Sequence, residues 1–143
     1  MPDEPSEQHT RPEGVDDATV EAVGRLTEAL ETVERARGHL YSFHQLTGEA
    51  DFKIGDAVDQ LRAAGHTELA DRLQRDIVGR NVLEGRWTFQ IMEEYDDTYW
   101  SVLRDAERGV REQLTGGRRH LAEAELKEQR RTMGHPDHTA TPD

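Results

Sequence analysis

The stretch Gly85–Trp100, "GRWTFQIMEEYDDTYW", holds five of the chain's eight aromatic residues, interrupted by four acidic ones. Phe89, Met92, Asp96, Tyr99, Leu103, Ala106 and Val110 recur at steps of three and four, the spacing of one side of an α-helix. Ile91, Tyr95 and Val102 widen that stripe, and no period-two alternation competes with it. One slot is wrong for a pure core: Asp96 stands where an apolar residue belongs. Glu94 and Asp97 point away. Glu93, Asp96, Trp100 and Glu107 form a ridge along one border.

Upstream the pattern is also helical, and proline is absent from Glu13 through His135. A first helix begins where Asp16 or Asp17 caps free amides and runs to about Thr47, with Gly48 as its expected stop. Its stripe is Thr19, Val23, Leu26, Leu30, Val33, Arg37, Leu40, His44 and Thr47, again with polar faults, at Arg37 and His44. A second helix over 50–64 ends at Gly65. A third starts at Thr67. "GRNVLEGRW" reads as a connector. The fourth helix extends from Trp87 or Thr88 to about Leu114, where "TGG" breaks it.

These elements predict an all-α fold: an antiparallel four-helix bundle over 15–131, with a long first and a long fourth helix and shorter second and third helices. Residues 118–131 read as a marginal C-terminal helix. Residues 1–14 and 132–143, polar and poor in apolar side chains, read as disordered tails.

Composition narrows the function. Of 143 residues, 34% are apolar and 34% charged, and 18 basic residues face 30 acidic ones for a net charge of −12. That field disfavours nucleic acid and anionic membrane surfaces. No apolar run approaches the ~20 residues that span a bilayer. The absence of cysteine excludes disulfides and thiolate chemistry and suits the cytoplasm. No Glu-x-x-His occurs, which argues against a carboxylate-bridged di-metal bundle. "HPDH" at His135–His138 is a weak metal candidate, and Ser42, His44 and Asp51 lack the nucleophile-elbow pattern of a hydrolase. No cofactor or metal is expected.

In an antiparallel bundle, the faults of the two long helices fall at about one height, Asp96 lying opposite His39 and Leu40, between Arg37 and His44. A buried carboxylate needs a partner, so Asp96 is expected to pair with Arg37, His44 or both. One reading of this cluster is a register-fixing salt bridge. The other is a small-molecule-binding or catalytic site, with Arg37, His44 and Asp96 at its centre and Trp100 and Glu93 beside them. Val23, Leu26, Leu30, Leu103, Val110 and Leu114 extend beyond the reach of the short helices, and either the last segment or a second copy must cover them. The favoured reading is a non-enzymatic interaction or adaptor module acting as a homodimer, with a further protein partner compatible with its acidic, aromatic ridge.

Overall fold

A computed structural model describes residues 3–142. Its elements are a 3₁₀ turn at Glu7–His9, α1 at Asp17–Ala63, α2 at Thr67–Asp76, α3 at Thr88–Tyr95, a π-helical turn at Asp96–Trp100, α4 at Ser101–Thr115 and α5 at Leu121–Arg130. The fold is all-helical. Among the described residues no strand forms, and only an isolated bridge links Leu83 to Arg86 in the connector.

The start of α1 follows the sequence: Asp16 Oδ1 accepts the Thr19 amide at 2.8 Å, the ordinary N-cap bond. The expected stop at Gly48 does not occur. Helix α1 continues for 47 residues and fuses the two helices anticipated on either side of that glycine. A glycine ends a helix when its φ turns positive and the exposed carbonyls find new donors. Gly48 keeps a negative φ, and the Thr47 hydroxyl donates to the Phe43 carbonyl at 2.7 Å. Interior glycine costs about 1 kcal/mol relative to alanine, too little to interrupt a helix with good formers on both sides. The stop comes at Gly65, as its position suggests. Its φ is 90°, its amide donates to Arg62 at 3.1 Å, and the His66 amide donates to Leu61 at 2.8 Å, a Schellman exit.

The chain divides into two compact units, Met1–Thr32 with Val102–Asp143, and Val33–Ser101; α1 contributes to both. In the first unit, Val20, Val23 and Leu121 are buried, so α5 folds back on the beginning of α1. Gly24 permits this approach: a Cβ at that position would lie 3.3 Å from the Cβ of Ala122. Of the two coverings open for this end of α1, the fold supplies the internal one.

Charge holds the flanking segments there. Arg11 forks onto Glu125 at 2.7 and 3.2 Å and reaches Asp17 at 2.7 Å. Arg131 binds Asp3 and Glu128, and Asp3 Oδ1 accepts the Ala140 amide at 2.8 Å. Composition points to tails without order because they contain little to bury; the contacts placed on them here are mostly ion pairs and hydrogen bonds, with Ala140 buried beside them.

In the second unit the buried apolar side chains are Val58, Ala70 and Met92. The connector is tied at two points. The Gly79 amide donates to Asp51 Oδ1 at 2.9 Å, and the Trp87 indole donates to the Gly79 carbonyl at 3.1 Å.

The sequence predicts one uninterrupted helix from Thr88 to Leu114. The π turn at Asp96–Trp100 changes its phase. One extra residue in a turn rotates everything after it by roughly 100°, one residue's worth of helix. The expected stripe of Tyr99, Leu103, Ala106 and Val110 is therefore displaced by one position. Tyr99 and Ala106 face out, while Trp100 is half-buried and Glu107 and Thr115 are enclosed.

Candidate functional site

Asp96 and Trp100 open and close the π turn, and both meet α1 within the second unit. Arg37 Nε donates to Asp96 Oδ1 at 2.7 Å and Nη2 to Asp96 Oδ2 at 3.0 Å, the planar two-pronged fit that guanidinium and carboxylate favour. Each side chain is 22% exposed. The guanidinium carbon lies 4.1 Å from the centre of the Trp100 ring and 5.0 Å from that of Tyr41, within cation–π range. Arg37 Nη2 also donates to the Tyr41 hydroxyl at 3.2 Å. The Trp100 indole donates to Glu34 Oε1 at 2.7 Å. Arg37 is thus clasped by a carboxylate at its edge and by aromatic surface on its faces.

The electrostatics follow from that geometry. The hydrogen bonds from Arg37 hold the Asp96 carboxyl below its ordinary value of 3.8, more than its partial desolvation raises it. The same bonds raise Arg37 above its usual value. Both groups are charged across the whole neutral range.

His44 lies about two turns further along α1 and has a different partner. Its Nδ1 is 2.6 Å from the hydroxyl of Thr88, a buried residue in the first turn of α3. As the α1 residue advances from Glu34 to Arg37 to His44, its partner retreats from Trp100 to Asp96 to Thr88. The two segments therefore run antiparallel. The spacing along the sequence sets Asp96 level with His39 and Leu40, within a turn of its observed partner Arg37. The structure joins Arg37, Asp96 and Trp100 and places His44 in a separate contact with Thr88. Glu93 is exposed and takes no part in the clasp.

A second polar cluster, in the first unit, centres on Glu107, which the sequence places only at the border of its helix stripe. Glu107 is 4% exposed. Its Oε1 accepts from the Thr27 hydroxyl at 3.0 Å and from Arg111 Nε at 3.0 Å. Arg111 Nη1 continues to the Gly117 carbonyl at 2.8 Å, anchoring the turn that leads to α5. A buried acid at this depth is costly unless its oxygens are matched, and here they are. The available signal was the i, i+4 spacing of Glu107 and Arg111. The phase of an unbroken helix hid it by assigning the inward position to Ala106.

Beside this cluster lies a cleft of about 40 Å³, lined by Val20, Thr27, Arg111 and His120 among others. That volume suits a few water molecules and is far below the 300 Å³ or so of a typical small-molecule pocket. The arrangement around Arg37 offers fixed charge and aromatic surface. The Nε–Nη2 edge that would clamp an incoming anion is occupied by Asp96. No helix among the described residues is long and apolar enough to cross a membrane. Comparison of the chain with protein-family models, with curated proteins and with solved structures gives no match.

Proposed function

We propose that this protein is a non-enzymatic interaction module, of the adaptor or regulatory kind, that acts in the cytoplasm as a homodimer through the apolar surface of its second unit. The observation that carries this reading is an inversion of the usual burial. Between Val33 and Ser101, Val58, Ala70 and Met92 are enclosed, while Leu46, Phe52, Leu83 and Tyr99 are each more than half exposed, Phe52 at 79%. Large apolar surface of this kind in water marks an interface. A second copy is the favoured occupant because two-fold dimers are the commonest assemblies. A net charge of −12 also argues against nucleic acid and anionic lipid as occupants. In this reading the antiparallel four-helix arrangement suggested by the sequence is completed across two copies, and a further protein partner binds the dimer.

Sedimentation equilibrium tests the proposal. The wild-type chain is expected to dimerise, more tightly at higher ionic strength, as screening relieves repulsion between two acidic chains. Leu46→Glu and Phe52→Glu are expected to give monomers of unchanged helicity. A wild-type monomer at every accessible concentration removes the proposal.

One observation favours a second reading, a polar-ligand or catalytic site at Arg37, His44 and Asp96 flanked by Trp100 and Glu93. The π turn begins at Asp96, and such turns recur at functional sites. A thermal-shift screen of carboxylate and phosphate compounds discriminates the two readings. Ligand stabilisation that disappears in Arg37→Ala supports the second, and dimerisation without it supports the first.

A further inference from the structure

We propose that His135 and His138 form an acid-sensitive latch: as neutral rings they pin residues 132–142 against α5, and on protonation they let that segment go. All the residues involved belong to the first unit, and the latch is independent of the dimer reading. After α5 the chain makes two successive turns. The His135 amide donates to the Thr132 carbonyl at 3.3 Å, and the His138 amide to the His135 carbonyl at 3.0 Å. The sequence suits both. Gly134, at a φ of 80°, is the third residue of the first turn, and Pro136 is the second residue of the next. The turns bring the chain back to α5. There Arg131 Nη1 donates to the His138 carbonyl at 3.0 Å and Lys127 Nζ to the Ala140 carbonyl at 2.8 Å. Ala140 is buried, and its amide donates to Asp3 Oδ1 at 2.8 Å.

The bend itself is held by two imidazoles. The Thr132 amide donates to Nδ1 of His138 at 3.0 Å, and the Asp137 amide to Nδ1 of His135 at 3.1 Å. Each bond needs the lone pair of Nδ1, so each ring is neutral with its proton on Nε2. A protonated ring carries N–H at both nitrogens and meets the same backbone amide donor to donor. The two rings also lie 4.3 Å apart, centre to centre, so charging both sets like charges side by side. The cations around them act in the same direction. Lys127 and Arg130 of α5, with Arg131 at its end, line the cleft that holds His138. The acids nearby are Asp137 in the segment itself, and Asp3 and Glu128, both already bound to Arg131.

The direction of the switch follows. The pinned segment takes no proton on either Nδ1 without losing a bond, and the released segment does, so proton binding favours release. The latch is at full strength above the range in which imidazoles gain charge, between about pH 8 and pH 5, and weakens as pH falls through it. The carboxylate contacts do not titrate there: the Ala140 amide and then Arg131 hold Asp3 below its ordinary 3.8. Only the segment lets go, and the helices stay folded. Its release bares the flank of α5 at Ala124, Lys127 and Glu128, which Ala140 and Pro142 otherwise close.

The test is NMR of the full chain, free of any histidine tag, titrated from about pH 7.5 to about pH 5. Order parameters of residues 134–141 are expected to fall from about 0.85 to below about 0.6, while those of α1 and α5 hold. The Thr132 and Asp137 amide signals are expected to move with the same midpoint as the ring signals of His135 and His138. The double variant His135→Asn/His138→Asn keeps an acceptor oxygen in place of each Nδ1 and does not titrate, and its segment is expected to show no pH-dependent loss of order. Asp3→Asn is expected to loosen the segment at the higher pH and to leave its response to acid in place. The proposal is overturned by any of four results: a segment equally ordered at both ends of the wild-type titration, amide midpoints that differ from those of the rings, acid release that persists in the double variant, or a response to acid abolished by Asp3→Asn.

Discussion

Arg37 and Asp96, 59 positions apart in the chain, meet edge to edge with two hydrogen bonds of 2.7 and 3.0 Å. The contact joins the π turn that follows α3 to α1. Asp96→Asn preserves shape and removes the charge. It is expected to lower stability by about 1–2 kcal/mol, the range of a partly buried, charge-assisted contact. Arg37→Lys is expected to lose nearly as much, because an ammonium matches neither the fork nor the face of Trp100. A double-mutant cycle in urea measures the coupling, and two fully additive single variants would show that the pair contributes nothing.

Stability should fall in acid, and the sign follows from the shifts. Hydrogen bonds from Arg37 hold Asp96 below its ordinary 3.8. Asp3 is lowered by the Ala140 amide and then by Arg131, and Asp16 by Thr19. A carboxyl depressed in the folded state contributes stability that is present above its unfolded value and lost as pH falls through its folded one. Melting temperatures are therefore expected to hold down to about pH 4 and to drop below it, with a shallower drop in Asp96→Asn. A melting temperature that rises on acidification through this window would contradict the assignment.

Glu107 supplies a sharper energetic test. Glu107→Ala leaves Arg111, 16% exposed, without its carboxylate, while the Thr27 hydroxyl keeps the Val23 carbonyl at 3.1 Å. Breaking a buried pair from one side costs about 3–5 kcal/mol. A loss near the lower figure is expected, read by chemical denaturation, because Arg111 keeps the Gly117 carbonyl. A loss under about 1 kcal/mol, the size of an exposed pair, would place Glu107 in water.

Gly24 tests the docking of α5. With Ala122 only 3.3 Å from a Cβ built at Gly24, Gly24→Leu has no room. It is expected to destabilise the first unit by about 1–3 kcal/mol, as overpacking does, and to speed amide exchange across Leu121–Arg130. Gly24→Ala is expected to be nearly neutral, its gain in helix propensity of about 1 kcal/mol offset by the tight contact. Unchanged exchange in Gly24→Leu would mean that α5 does not rest on this face.

The all-helical class, the cap at Asp16, the exit at Gly65 and the misplaced polarity of Arg37 and Asp96 were legible in the sequence. Each rests on local chemistry or on a repeat of three to four residues, which any stretch of chain carries with it. Gly48 misled because local propensity weighs about 1 kcal/mol, less than the flanking helix contributes. The π turn was illegible for a related reason. Nothing in "DDTYW" marks one extra residue in a turn, and only the fit of Asp96 and Trp100 around Arg37 reveals it. From that single offset follow the burial of Glu107 and the exposure of Tyr99. The sequence by itself determined where this chain is helical and where its polarity is out of place. Tertiary structure decided which misplaced groups meet, because partners distant in the chain are selected by packing and charge pairing, which local spacing does not encode.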